Sequence, residues 1–483
     1  MTIMTRPRGD AAAFHPRRFR FSPDILPGVV RAVDIIAFLI AAALTFLFPQ
    51  VPGTDFDQPH VGAMVTIVFL YFILAAMARL FDTGSVMRPI SRADDVVVSI
   101  VTALFLFLAF AFSMGVSEKV SEWWLLQFAT TAAVALLLAR ALVGSALRAW
   151  SRRGIVGRNL AVLGCGEQAE RFLAKQRRTA PYFTRLLGVY ALPGDIATAH
   201  VEMSELRGDL DDLLACARSG AIDDVVVALP WNADRKLLSI VETLKELPIN
   251  VYLSSDLVGF ELAFRPVLGN FGETPVFEVV TRPISGWSSA LKIIEDYVLS
   301  GFLLIVLSPL FAMIAALVKL ESRGPIFFKQ ARLGFNNKVF EIYKFRSMYH
   351  NRGPETVVKQ ATRDDPRVTR VGRIIRATSL DELPQLFNVL LGDMSLVGPR
   401  PHAMSHNEEY GRMIRGYFAR HRVKPGITGW AQVNGLRGET ETLEKMEKRI
   451  EYDIYYADNW SIIFDVKILI MTALIAPFQR SAY

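Results

Sequence analysis

Residues 297–318 read Tyr-Val-Leu-Ser-Gly-Phe-Leu-Leu-Ile-Val-Leu-Ser-Pro-Leu-Phe-Ala-Met-Ile-Ala-Ala-Leu-Val, an apolar run long enough to cross a bilayer, with Ser308-Pro309 at its centre. The reading of this run decides the fold, because a crossing here would put the chain beyond it on the opposite side of the membrane from the chain before it. Proline removes one helical hydrogen bond and clashes with the preceding turn. In a membrane helix, neighbouring groups can satisfy the freed carbonyl. Two readings therefore stand: a kinked span, or a helix-break-helix hairpin over about 291–320 that enters and leaves by one face. Lys292, Glu295 and Asp296 before the run, and Lys319, Glu321 and Arg323 after it, offer polar anchors at both ends. Composition does not choose between the two.

Upstream, four runs at 29–48, 61–81, 96–116 and 124–143 have the length and apolarity of transmembrane helices. The first reads poorly as a cleaved signal peptide, since Asp34 interrupts its start, no small-residue cleavage site comes after it, and three more runs lie beyond. Arg6, Arg8, Arg17, Arg18, Arg20 and Arg31 precede or open the first run, and the loop 49–60 carries no Lys or Arg. The positive-inside rule then puts the N-terminus in the cytoplasm. Arg88 and Arg92 in the second loop, Lys119 in the third, and Arg148, Arg152, Arg153 and Arg158 after the fourth run keep the alternation, so the chain beyond 150 starts in the cytoplasm.

These runs account for a composition that is 52% hydrophobic and only 21% charged, with a mean hydropathy of +0.29, apolar beyond the range of a soluble multidomain enzyme. Disorder and fibrous repeats are excluded by the ordinary Gly and Pro content and the plentiful aromatics. Two cysteines, Cys165 and Cys216, cannot build a disulfide framework or a multi-cysteine metal site. The net charge of +7 suits anionic lipid or nucleotides. Membrane lipid is an expected partner, and nucleic acid is not.

Between 151 and 281 short apolar runs (159–164, 187–192, 223–230, 248–253) alternate with amphipathic stretches, the pattern of a Rossmann-like parallel α/β domain. The first strand runs into Gly164-Cys-Gly166-Glu-Gln-Ala169, a G-x-G-x-x-A turn suited to cradling a diphosphate at a helix N-terminus. The acidic residue that would hold a ribose is not evident, Asp195 lying late and after Pro193-Gly194. Gly164 and Gly166 are therefore candidate nucleotide contacts, a ligand-free scaffold stands as the alternative, and oxidoreductase chemistry is not expected.

From Ser322 onward polar motifs are dense: Ser322-Arg-Gly-Pro-Ile-Phe-Phe-Lys-Gln-Ala-Arg-Leu-Gly334, Lys344-Phe-Arg-Ser-Met348, Thr378-Ser-Leu-Asp-Glu-Leu-Pro-Gln-Leu386, Val397-Gly-Pro-Arg-Pro401 and Lys424-Pro-Gly-Ile-Thr-Gly-Trp-Ala-Gln-Val-Asn-Gly435. Ser379-x-x-Glu382 fits a capping box, but that would place Pro384 where its missing N–H is needed. With Asp381 near the cap instead, Pro384 falls in the first turn, where it is tolerated. Asp381 and Glu382 then face the positive end of a helix dipole, which favours ionised carboxylates and attracts phosphate. An ionised Asp can attack phosphorus, and an adjacent Glu can hold Mg²⁺ together with substrate phosphates. Lys344, Arg346 and Arg400 are the candidate cations for the phosphate oxygens.

This ordered set of motifs, with the broken apolar helix before it, resembles the bacterial polyprenyl-phosphate sugar-1-phosphate transferases of the monotopic phosphoglycosyl transferase superfamily, over 282–483. The four spans and the glycine turn extend the likeness to long-chain members that initiate exopolysaccharide or capsule synthesis. The resemblance implies a ping-pong reaction. Asp381 attacks the sugar-linked phosphorus of a UDP-sugar, glucose or galactose being the usual donors, and expels UMP; undecaprenyl phosphate then takes the sugar phosphate. It implies Glu382 as the Mg²⁺ ligand and Lys344, Arg400 and Asp453 as further site residues, with Asp458 and Asp465 near the last. It also implies a re-entrant helix broken at Ser308-Pro309, a C-terminal interfacial helix at 462–478, and both soluble parts on the cytoplasmic face of the inner membrane. The expected layout is a basic tail (1–28), four transmembrane helices (29–150), the Rossmann-like domain (151–281) and an α/β catalytic domain with its membrane helix (282–483). A homodimer is expected, and a membrane-anchored nucleotide sensor or assembly scaffold is the alternative function.

Overall fold

The structure, a computed structural model, describes residues 21–47, 58–87, 90–115, 119–179, 183–192, 200–229, 234–254, 267–271, 274–349, 365–402, 404–436 and 442–475. Most of the basic tail and of the loop 49–60, together with Arg88, Asp195 and Arg480, lies outside the described residues. The chain divides into two compact units, Met1–Asn159 with Thr179–Arg185, and Leu160–Arg178 with Leu186–Tyr483.

The first unit is a bundle of α1 (Leu26–Leu47), α2 (Gln58–Met77), the short α3 (Thr83–Met87), α4 (Ala93–Ser113) and α5 (Glu122–Arg152). The four long helices are each long and apolar enough to cross a membrane. Rings fill the inside: Phe38 meets Tyr71 edge-on with centroids 5.0 Å apart, and Trp124 stacks on Phe128 at 5.4 Å. Outside, Ile36, Leu39, Phe69, Phe105 and Leu138 stay exposed, an arrangement that suits hydrocarbon and not water. The Asp34 that interrupts the first apolar run is fully buried. Arg140 of α5 grips it twice, Nη2 to Oδ2 at 2.6 Å and Nε to Oδ1 at 3.2 Å, and the Tyr71 hydroxyl donates to Oδ2 at 3.0 Å. Arg140 also donates to the Leu80 carbonyl at 3.3 Å. A buried charge with this many partners is tolerated, whereas a stranded one is not.

In the second unit, a seven-stranded sheet runs in the order β3-β2-β1-β4-β5-β7-β6. Its strands are β1 (Arg158–Leu163), β2 (Thr184–Ala191), β3 (Leu206–Asp209), β4 (Asp224–Val227), β5 (Asn250–Ser254), β6 (Val267–Phe271) and β7 (Thr274–Val280). The first five in that order match five of the six strands of a dinucleotide-binding fold, with β2–β3, β1–β4 and β4–β5 parallel and β7 and β6 added antiparallel. Helices α6 (Glu167–Thr179), α7 (Leu210–Ser219) and α8 (Asp234–Leu244) connect the parallel strands. Gly164 comes directly after β1 with φ +110°, and a Cβ there would stand 2.5 Å from the Ala228 carbonyl oxygen, so only glycine lets β1 end beside β4.

The same unit continues with α9 (Gly286–Glu321), β8 (Phe327–Leu333), β9 (Val339–Phe345), α10 (Arg370–Ala377), α11 (Gln385–Leu391), β10 (Ser395–Val397), α12 (Met404–Met413), β11 (Gly426–Thr428), α13 (Trp430–Val433), α14 (Leu443–Asp458) and α15 (Ile462–Ile475). Helix α9 is a fifth helix with the length and apolarity to cross a membrane. Its backbone stays helical through Pro309, with the Ser308 hydroxyl donating to the Ile305 carbonyl at 2.8 Å. The helix does not end at Ser308-Pro309: proline deletes one hydrogen bond and the chain is helical on both sides of it.

Both ends of α9 are fastened to one α/β domain. Near its start, Lys292 pairs with Asp465 of α15 at 2.6 Å, and Asp296 accepts from the Ser395 hydroxyl at 2.9 Å and the Leu396 N–H at 3.0 Å. At its end, the Glu321 carboxylate accepts the N–H groups of Arg370 and Val371 at 2.7 and 3.0 Å, and Ile314 and Val318 pack on Phe345 and Ile375. Replacing Asp34 by Ala in the first unit strands Arg140 and is expected to cost about 3–5 kcal/mol, read as an earlier thermal transition in detergent. Pairing Asp34→Ala with Arg140→Leu recovers most of the loss, and single variants melting with the wild type would contradict the buried pair.

Candidate active site

Asp381 and Glu382 stand on a 3₁₀ turn, Leu380–Glu382, that leads through Pro384 into α11. Ser379 precedes the turn in the left-handed region at φ 58° and reverses the chain after α10. Its side chain does not cap the turn, so the capping-box geometry is not formed. The Glu382 side chain is engaged elsewhere. Lys344, on β9, donates to Oε1 at 2.7 Å, and Arg400 takes both oxygens, Nη2 to Oε1 at 2.6 Å and Nη1 to Oε2 at 3.1 Å. Burial alone would raise the Glu382 carboxyl, but Arg400 and Lys344 outweigh it and hold the group well below the usual carboxylate range.

Asp381 is treated differently. Among the described residues no side chain bonds to its carboxylate. Burial, and then the charge on Glu382, push it up to about 6 against the opposing fields of Lys344, Arg376 and Arg400. Two adjacent carboxylates thus part company, Glu382 fixed as an anion and Asp381 left open to react.

Arg400 sits in the Val397-Gly-Pro-Arg-Pro401 loop, and the Lys424–Gly429 motif explains how that loop is held. Strands β10 and β11 pair in parallel, the Gly398 N–H donates to the Thr428 carbonyl at 2.8 Å, and the Gly426 N–H donates to the Pro399 carbonyl at 3.0 Å. A Cβ on Gly398 would stand 2.4 Å from the Lys424 carbonyl oxygen, so the two motifs approach more closely than any side chain permits. Behind the loop, Arg420 donates to the Arg400 carbonyl at 2.5 Å and pairs with Asp453 of α14 at 2.8 Å. Asp453 therefore lies one layer back, fully buried, where burial raises its carboxyl against the pull of Arg420 and Arg449.

Arg346 does not join the dyad. Its guanidinium turns to the C-terminal end of α9, donating to the Val318 and Ser322 carbonyls at 3.1 and 2.6 Å. Gly164 and Gly166 lie at the end of β1 as expected, but the first turn of α6 beyond them carries Glu167 and Glu170, which disfavour a diphosphate. Asp465 belongs to the anchor of α9, and Asp458 pairs with Arg422 at 2.6 Å.

Two cations went unread in the sequence. Arg332, on β8, lies close enough to Arg400 and Glu382 for burial and then the Arg400 charge to lower it to about 10. Arg376, in the last turn of α10, adds to the field at Asp381. The first had a signal: Gly334-Phe-Asn-Asn337 between two runs of alternating pattern marks a hairpin, whose register pairs Arg332 with Phe340 and Phe328 with Lys344, placing Arg332 and Lys344 on one face.

A buried anion ringed by cations, beside a second carboxylate with no bonded side chain among the described residues, on a domain tied to a long apolar helix, is suited to phosphate chemistry at a membrane. The bacterial sugar transferase family matches residues 287–478, and a CoA-binding domain family matches 78–255. The chain is 40% identical to a UDP-glucose:undecaprenyl-phosphate glucose-1-phosphate transferase of Escherichia coli (strain K12), covering 96% of this chain and 98% of the relative. It is 37% identical to a protein of the same name from Xanthomonas campestris pv. campestris over 78% of each. A third relative, undecaprenyl-phosphate glucose phosphotransferase of Komagataeibacter xylinus, is 33% identical over 97% of this chain and 81% of the relative. The chain belongs to the bacterial sugar transferases, within the polyprenyl-phosphate sugar-1-phosphate transferases that its motifs resemble, and it is an enzyme.

Because folding lifts the Asp381 pKa, its neutral form favours the native state, and that stability is lost as pH rises through about 6. In magnesium-free buffer, Asp381→Asn is expected to raise the melting temperature at pH 7.5 and to raise it much less at pH 4.5, nearer the ordinary carboxylate value, where only part of the penalty has built up. Equal shifts at both pH values would refute the raised pKa.

Proposed function

We propose that the protein transfers glucose 1-phosphate from UDP-glucose to undecaprenyl phosphate through a phosphosugar intermediate on Asp381, releasing UMP and starting exopolysaccharide or capsule synthesis. The observation that carries this reading is the division of labour in the dyad, with Glu382 held by Lys344 and Arg400 and the Asp381 carboxylate left without a bonded partner among the described residues. The glucose donor rests on the names of the relatives.

In the first half, an Asp381 oxygen attacks the sugar-linked phosphorus, the bond from that phosphorus to the bridging oxygen breaks, and UMP leaves with the electron pair. In the second, a phosphate oxygen of the acceptor attacks the same phosphorus. The bond to Asp381 breaks, regenerating the carboxylate and giving undecaprenyl diphosphoglucose. Arg400, Lys344 and Arg332, grouped around Glu382, would supply the positive charge that non-bridging oxygens need. Arg420 and Asp453 hold the Arg400 loop from behind and need not touch substrate.

Among the described residues no group of three or more His, Cys, Asp or Glu side chains could hold a metal. The adjacent carboxylates instead fit a Mg²⁺ ion shared with the donor diphosphate, since that ion is commonly bound through one or two carboxylates plus substrate phosphates. Glu382 would hold it, and the ion would supply further neutralisation of phosphate charge.

The lipid acceptor requires the site to lie at a membrane surface. Helix α9 has 36 residues, roughly 54 Å if straight, and both of its ends grip the same domain. A crossing would drag that domain into hydrocarbon, so we read α9 as a re-entrant anchor that bends at Pro309, where one backbone hydrogen bond is missing. Along it Val298, Phe302, Ile305, Met313 and Leu320 are exposed, and on α15 Ile463, Val466, Ile470 and Leu474 are too, two apolar stripes suited to lipid. The basic residues flanking the first and fourth apolar runs support a setting on the cytoplasmic face of the inner membrane.

The test is UMP release from a panel of UDP-sugars with undecaprenyl phosphate, and retention of label on the chain from UDP-glucose labelled in its sugar-linked phosphate. UDP-glucose is expected to be the best donor, and Asp381→Asn to abolish both signals by at least about a thousandfold. Label retained by the Asp381→Asn protein would overturn the nucleophile, and UMP released only from another UDP-sugar would overturn the donor.

A further inference from the structure

The turn between β8 and β9 is held on three sides. Phe335, Asn336 and Asn337 form it, with Asn336 and Asn337 both in the left-handed region, at φ 53° and 58°. Asn336 is buried, and its side-chain amide donates to the Ala217 carbonyl at 3.1 Å and the Arg218 carbonyl at 2.7 Å, in the last turn of α7, where the Ala217 carbonyl also accepts the Gly220 N–H. The Arg282 guanidinium, 3.9 Å from Asp223, lies 5.9 Å from the centre of the Phe335 ring. His421, which burial keeps neutral by lowering it to about 3, meets the Asn337 side-chain oxygen.

These contacts tie the parallel-sheet domain to the element that carries two of the site's cations. Arg332 and Lys344 stand on one face of the β8–β9 hairpin, the face that turns Ile342 into the core. His421 adjoins Arg420, which holds the Arg400 carbonyl. One turn therefore braces the supports of all three cations near Glu382.

We infer that Asn336 is a positioning residue for sugar-phosphate transfer: by fastening the hairpin tip to the end of α7, it sets Arg332 and Lys344 to receive the donor diphosphate. The parallel-sheet domain then serves the reaction as an abutment, with no nucleotide of its own required. The inference rests on the transferase reading for its kinetic consequence, but not for its structural one.

Two variants of the full-length membrane protein test it. Asn336→Gly keeps the left-handed backbone accessible and deletes the amide, and Asn336→Asp keeps the shape but puts an acceptor against two carbonyls. Both are expected to raise the KM for UDP-glucose about tenfold, with kcat changed less than about twofold, as a misplaced binding group should. Hydrogen exchange over residues 327–345, read without substrate, is expected to rise in both. Unchanged exchange would overturn the inference whatever the donor proves to be. Exchange that rises while KM stays within twofold of wild type would reduce Asn336 to a purely structural contact and overturn it too. A wild-type enzyme that releases no UMP from any UDP-sugar would count against the proposed function, with exchange still deciding whether Asn336 holds the hairpin.

Discussion

Consecutive carboxylates in a half-buried site repel one another and both lose hydration, so the fold must either protonate one or surround them with cations. Here, among the described residues, it gives two direct partners to Glu382 and only the fields of neighbouring cations to Asp381. Much of the C-terminal architecture answers that demand. Lys344 comes from a hairpin, Arg400 from a loop after β10, and the dyad from a 3₁₀ turn, and these must converge within hydrogen-bond distance. The glycines of two separate motifs let β10 and β11 approach backbone to backbone, which fixes the Arg400 loop without any large side chain in the way. The Arg420–Asp453 pair closes the structure behind it.

The attachment of α9 obeys a related logic. An apolar helix whose ends carry Lys292, Asp296 and Glu321, each matched to a charged or polar partner on the same domain, cannot slide or tilt freely. Arg346 completes the fastening by taking two carbonyls at its C-terminal end. Arg346 comes directly after the end of β9, two residues beyond Lys344, so the last residues of one strand serve the dyad and then the membrane helix.

Much of this is legible in the sequence because it depends on local pattern. The four apolar runs correspond to α1, α2, α4 and α5, the glycine turn to the end of β1, and the Asp-Glu pair to the centre of a cationic site. The features that escape a linear reading depend on tertiary neighbours. Arg346 looks like a phosphate ligand until the end of α9 is seen beside it, Asp453 looks like a site acid until Arg420 is seen between it and the dyad, and Arg332 gains meaning only from a hairpin register. Pro309 reads as a break because proline usually is one, yet a helix packed along a domain can forgo a single hydrogen bond and continue.

The pair between Asp34 and Arg140 bears on how the chain enters the membrane. The partners are 106 residues apart, on the first and last helices of the bundle. During synthesis α1 must carry its carboxylate into or beside the bilayer before α5 exists, at a depth where an unpaired charge is costly. Until α5 arrives the Asp34 charge has no Arg140 to pair with, so the bundle is complete only when its last helix returns to its first.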